Sequence, residues 1–194
     1  MSDKIMDRID FENIESRLNS VFDSKDYKTL ADKINKAKRI YLIGNGGLHF
    51  VACHAATDMT RLIPDKSVQT FDSVGFITSN ANDHPFDQLF VKWLDSLTCP
   101  EDFEESLVVG MSCSGKSKNV LNALLWANES GIDTFMISGK SARVLPDSIS
   151  EIDLDCLYFH TVEVMSLMLF YDLIHMTGNR CPSINQEIRR KFTK

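Results

Sequence analysis

Residues 107–117 read LVVGMSCSGKS, an apolar run that passes directly into a turn of serines, glycine and lysine. A short apolar run without polar alternation fits a strand covered on both faces, as in parallel sheets. A helical pattern follows from about residue 116 to 130, and Gly131 stands where a helix should stop. Residues 134–138, TFMIS, then form the next strand, ending at Gly139. Upstream the same alternation recurs. Residues 39–43, RIYLI, end at Gly44, and residues 48–63 are helix-like. Residues 67–71 are a second candidate strand, and residues 87–97 an amphipathic helix introduced by Pro85. Downstream, residues 152–156 alternate like a partly covered edge strand, and residues 161–176 form an apolar helix.

Strands alternating with helices predict an α/β fold, a three-layer α/β/α sandwich around a five-stranded parallel, flavodoxin-like sheet. Two further amphipathic helices precede it at about residues 11–36, marked by Ile14, Leu18 and Val21 and by Tyr27, Leu30 and Ile34. The sandwich does not need them, so they cover its side or pair with another subunit. No linker or low-complexity stretch interrupts the pattern. The expectation is one domain over residues 1–194: N-terminal helices, a sandwich at about 37–177, and a polar tail ending in Arg189, Arg190 and Lys191.

Composition narrows the function. Hydrophobic residues make up 43% of the 194 and charged residues 25%, ordinary for a globular chain. A net charge of −6 argues against neutralising nucleic-acid phosphates or binding an anionic membrane. Nothing aromatic interleaves with the terminal basic cluster, which reads as a solvated tail. The five cysteines are scattered without a CxxC pair, which suits a reducing compartment. The acidic N-terminus lacks a signal-peptide pattern, and no apolar stretch reaches the ~18 residues of a membrane span. A cytoplasmic location is expected.

In an open parallel sheet, ligands bind at the carboxyl ends of the strands, where the strand order reverses. Two such ends here are rich in small residues: Gly44, Asn45, Gly46 and Gly47, and the 112–117 loop. Both lead into helices. In the second, small residues let a backbone approach an anion, while Ser112, Ser114 and Ser117 add hydroxyls and Lys116 adds charge. Three serines in six residues point to a phosphate site, where a lone N-cap turn would not. The first loop starts like a dinucleotide fingerprint, but its third glycine position falls on His49.

GNGGLH after a strand, a helix with His54 and Asp58, the pair Asn82-Asp83, and SCSGKS before a helix together resemble the sugar isomerase (SIS) domain family. The likeness spans roughly residues 12–176 and is greatest to its phosphoheptose isomerase branch and that branch's regulatory relative, the DnaA initiator-associating protein. The resemblance implies phosphate on Ser112, Cys113, Ser114 and Ser117. It also implies a sugar lined by Asn45, Gly46, Gly47, Asn82 and Asp83, although Asn82-Asp83 before Pro85 also suits a helix-entry turn. Such proteins pack as homo-oligomers, here a dimer or tetramer.

The departures lie where the family does its chemistry. Gly-Gly-Ser-His becomes Gly47-Leu48-His49, losing a hydroxyl, and a threonine of the phosphate loop becomes Cys113. The family's His-x-x-x-Glu becomes His54-x-x-x-Asp58, still on one helical face. A Gln and, eight residues on, a His of the last helix have no counterpart in two registers, which offer Val162 and Phe170 or His160 and Met168. With two of the usual ligands left, no metal residues are assigned and zinc is not expected. The catalytic candidates are Asp58, Glu163 and His49. Glu163 equally suits the favourable dipole of a helix's first turn, and His49 a solvent-facing first turn; His175 reads as structural. The chain is expected to be an aldose–ketose isomerase of a sugar phosphate, most plausibly sedoheptulose 7-phosphate. The competing class is a non-catalytic sugar-phosphate-binding regulator.

Overall fold

The computed structural model describes residues 9–183. Five strands, β1 Arg39–Ile43, β2 Ser67–Thr70, β3 Ser106–Ser112, β4 Asp133–Ser138 and β5 Ser150–Asp153, form one sheet in the order β2-β1-β3-β4-β5. Every neighbouring pair is parallel, as the doubly covered apolar runs predicted. The register sets Ile40 beside Leu107, Leu42 beside Val109 and Val109 beside Phe135. These side chains share one face, because alternate residues of a strand point the same way. Tyr41, Ile43, Val108 and Met136 serve the other face.

Seven helices among the described residues cover the two faces: α1 Ile14–Phe22, α2 Lys25–Lys36, α3 Gly47–Leu62, α4 Val74–Asp83, α5 Leu89–Leu97, α6 Lys118–Glu129 and α7 Phe159–Met176. α1, α2, α3 and α7 supply Leu18, Leu30, Ile34, Met59, Leu169 and Leu173 to the first core. α5 and α6 supply Phe90, Leu94, Val120 and Leu124 to the second. The expected N-terminal helices therefore cover the side of the sandwich within the chain itself. Lys33 of α2 bonds Asp133 of β4 at 2.6 Å, and the Tyr27 hydroxyl donates to Asp172 of α7.

The structure departs from the sequence pattern in three places. α4 was not expected, because its only buried residue is Asn80 and no apolar stripe marks it; its local signal is the Ser73 hydroxyl accepting from Phe76 N–H. Residues 86–88 form a 3-10 turn, so the following helix starts at Leu89. β5 stops at Asp153, although Leu154 and Cys156 remain buried and donate backbone bonds to Ser138 and Gly139. The break is at Asp155, whose φ of 50° ends the extended chain and whose carboxylate meets Arg17 and Lys140. The terminal basic cluster lies outside the described residues.

Candidate functional site

The strand order reverses between β1 and β3, and a cavity of about 240 Å³ opens there at the carboxyl ends of both strands. Asn45, Gly46, Gly47, Ser112, Cys113, Ser114 and Ser117 line it, all residues singled out from the sequence, and Glu163 of α7 faces them. The structure thus brings the two small-residue loops together with one carboxylate from a third element.

The serine loop is internally tied. Ser112 Oγ and Ser117 Oγ lie 2.9 Å apart, and Ser114 Oγ accepts from Lys116 N–H at 3.3 Å. Gly115 turns at φ 65°, and a side chain there would strike Lys140 O at 2.8 Å. The N–H groups of the first turn of α6 open from the same loop, which suits an anion. Burial pushes the Cys113 thiol up to about 11, with the charge of Glu163 adding to the shift. Cys113 therefore fills the wall as a neutral group and is no nucleophile at neutral pH.

Glu163 reaches the cavity because Gly47 has no side chain. A Cβ on Gly47 would lie 2.0 Å from Glu163 Oε1. The carboxylate is therefore packed against the first turn of α3, in the cavity that Asn45 also lines. At the start of α7, the Glu12 carboxylate accepts from the N–H groups of Leu157 and Tyr158 at 2.8 and 3.1 Å. Burial raises the Glu12 carboxyl, but these bonds outweigh it and leave it below its usual value.

The other candidates lie elsewhere. His49 points along α3 to Cys53, 3.5 Å away, and against the ring of Phe71; burial lowers its pKa, with Asp72 opposing. Asp58 lines a separate cavity of about 620 Å³ with Arg61, Tyr171 and His175. Its carboxylate sits 3.2 Å from Arg61 and 3.3 Å from His54 Nε2. Asn82 and Asp83 are exposed at the end of α4, where Asn82 donates to Asp83 at 2.8 Å. They do not line the smaller cavity.

Three residues were missed. Asn119 pairs with Asn45 through two bonds of 2.9 and 2.8 Å. Its signal was a polar residue on the buried face of α6 that Val120, Ala123, Leu124 and Ala127 define. Phe159 forms the outer wall of the cavity. Tyr171 places its hydroxyl 2.6 Å from His54 Nε2, and it follows Glu163 by eight residues. That spacing is the one the resemblance implies for Gln and His, in a register one residue beyond Val162 and Phe170. One face of α7 presents Glu163 to Gly47 and Tyr171 to His54.

A zinc centre would have to use this second cluster, and the donors do not fit. Burial raises the Tyr171 hydroxyl, with Asp58 adding, so it carries its proton at neutral pH. Zinc is held by Cys, His, Asp or Glu side chains, and Tyr171 is none of these. Among the described residues no group of three His, Cys, Asp or Glu side chains could hold a metal ion. No helix among them is long and apolar enough to cross a membrane.

No protein-family model matches the chain. Individual proteins do. The phosphoheptose isomerase of Geotalea uraniireducens is 33% identical over 132 residues, covering 64% of this chain and 66% of the relative. The chain thus spans just under two thirds of that relative's length. The phosphoheptose isomerase of Syntrophotalea carbinolica is 28% identical over 182 residues, 88% of this chain and 86% of the relative. In fold, the phosphoheptose isomerase of Neisseria gonorrhoeae superposes with a TM-score of 0.74 at 21% identity, over 87% of this chain and 92% of the other. Together with the doubly covered parallel sheet and the paired loops at its reversal point, these similarities support a phosphoheptose isomerase-like SIS family for the chain.

Proposed function

We propose that the chain binds a phosphorylated sugar between β1 and β3 and interconverts its aldose and ketose forms. The observation that carries this is Glu163: a carboxylate from α7 lodged against Gly47, in the same cavity as the serine loop. The phosphate would rest on Ser112, Ser114, Ser117 and the start of α6, which leaves the sugar chain directed at Asn45 and Glu163. Glu163 then takes the proton from C2 of the open aldose. The electron pair forms the C1–C2 double bond, the carbonyl oxygen O1 gains the negative charge, and Asn45 can donate to it. The hydroxyl proton of O2 passes to O1, O2 becomes the carbonyl, and Glu163 returns its proton to C1, which gives the ketose with the carboxylate restored. No step calls on a metal. The named activity of the relatives favours sedoheptulose 7-phosphate as substrate.

Deuterium exchange at C2 of sugar phosphates, followed by NMR, tests this directly. The parent chain should exchange the proton, and Glu163→Gln should lower the rate by about 10²–10⁴, the usual share of a general base. Exchange that survives Glu163→Gln unchanged would refute the assignment.

One observation favours a regulatory binding module instead. His54 and Asp58, the two retained positions of the family's reactive helix, are already engaged by Tyr171 and Arg61. A chain that binds sugar phosphates and exchanges none of them is such a module. For either role we further propose a cytoplasmic homo-oligomer, a dimer or tetramer. In support, Phe50 of α3 and Phe159, Val164 and Met168 of α7 leave large apolar side chains exposed.

A further inference from the structure

Asn119 has no part in the chemistry above, yet its amide is buried, 4% exposed, on the apolar face of α6. Burying an amide costs free energy unless its hydrogen bonds are made, and here three are made. Val120 N–H donates to Asn119 Oδ1 at 3.0 Å. A backbone N–H can only donate, so the atom facing it is the oxygen, which settles how the Asn119 amide is turned. The reciprocal pair then settles Asn45. Asn45 Nδ2 donates to Asn119 Oδ1 at 2.9 Å, and Asn119 Nδ2 donates to Asn45 Oδ1 at 2.8 Å. A chain of bonds rooted in helix backbone thus assigns both ends of the Asn45 amide. One N–H and one oxygen lone pair of Asn45 are left over, on the edge away from Asn119.

We propose that Asn119 is a positioning residue: it fixes the Asn45 amide so that this spare donor and acceptor meet the hydroxyls of a phosphorylated sugar. A sugar hydroxyl donates and accepts at once, so a fixed N–H beside a fixed carbonyl lone pair is matched to it. An amide free to flip would present the wrong atom in one of its two orientations. Asn119 also follows Ser117 by two residues, in the first turn of α6. The pair therefore ties the loop that takes the phosphate to the loop that reads the sugar, and the two move as one unit. Asn119 has this role only if Asn45 reads a sugar phosphate, as proposed above.

Calorimetric titration of the full chain with inorganic phosphate, and with sedoheptulose 7-phosphate, fructose 6-phosphate and ribulose 5-phosphate, separates the two loops. Asn119→Leu removes the pair at nearly constant volume, and Val120 N–H keeps Ser117 O as an acceptor at 3.0 Å. Phosphate should then bind within about twofold of the parent, while the tightest sugar phosphate weakens about tenfold, the worth of one or two hydrogen bonds. On an Asn45→Ala background, Asn119→Leu should cost the sugar phosphate no more than it costs phosphate. Should the leucine variant fail to fold, Asn119→Asp serves. A carboxylate keeps both acceptor roles but cannot donate to Asn45 Oδ1. Its charge weakens every anion, and the ratio of sugar-phosphate to phosphate affinity should still fall. Parallel losses of phosphate and sugar phosphate overturn the proposal and leave the sugar-phosphate function standing. A parent chain that binds phosphate but none of the three sugars overturns both.

Discussion

Gly47→Ala tests the placement of Glu163 without touching its carboxylate. A methyl on Gly47 would lie 2.0 Å from Glu163 Oε1 and 2.2 Å from its Cδ, far inside contact distance. Only one of the two groups can yield easily. Gly47 is the first residue of α3, held by helix backbone, whereas Glu163 is half-buried and ends a flexible side chain. The carboxylate must therefore swing out by more than 1 Å. A displacement of about 1 Å of a reacting group costs on the order of a hundredfold in rate. Stability should move the other way or not at all, since alanine is favoured over glycine in a helix by up to about 1 kcal/mol. The serine loop is not touched, so inorganic phosphate should bind as in the parent. The assays are C2 exchange by NMR, phosphate titration and thermal melting on one preparation. A variant that melts at or above the parent temperature, binds phosphate normally and exchanges C2 about a hundredfold more slowly fits the reasoning. Unchanged exchange would refute it, because the base would then act from some other place.

Glu12→Gln should lower stability at neutral pH by about 1–3 kcal/mol, the cost of weakening a buried acceptor shared by two backbone N–H groups. The folded carboxyl lies below its usual 4.5, so its contribution is fully present above that value and is lost as pH falls through the folded pKa. Urea midpoints measured from pH 7 downward should therefore fall less steeply in the variant below about pH 5; equal slopes would remove the carboxylate from the account. Light scattering at micromolar concentration should give a dimer or tetramer mass, and a monomer mass would refute the proposed assembly.

The sheet was legible because it is local. Each strand of a doubly covered parallel sheet is an apolar run whatever its partners are, and each turn after β1 and β3 announces itself by small residues. The two loops were therefore placed by position in the alternation, and the cavity contains them both. Contacts between elements far apart in sequence were not legible. That Glu163 meets Gly47 depends on how α7 crosses α3, and no spacing within either helix encodes the crossing. Tyr171 is neither an imidazole nor an amide, so residue type does not mark it, whereas the structure shows which face of α7 meets His54. Asn82 and Asp83 illustrate the converse. They read as pocket residues by resemblance, but α4 has no apolar stripe, and it leaves them exposed in this chain.

Enzyme and regulator differ in what they need from the seam between α3 and α7. Two polar clusters lie along it, Glu163 at Gly47 and Tyr171 at His54, seven residues apart on α3. Seven residues of helix span roughly 10 Å, so the two cannot act on the same carbon. An isomerase of this build must move its proton with Glu163 alone. For a regulator, that same carboxylate is a liability, since it shares a cavity of about 240 Å³ with the loop that takes a dianion. One substitution separates the two by exchange. In an enzyme, Glu163→Gln slows exchange by about 10²–10⁴, whatever it does to binding. In a regulator there is no exchange to lose, and removing a negative charge from beside the phosphate tightens the complex. Exchange measured on the parent and on Glu163→Gln, with affinity showing that both bind, therefore assigns the chain to one class or the other.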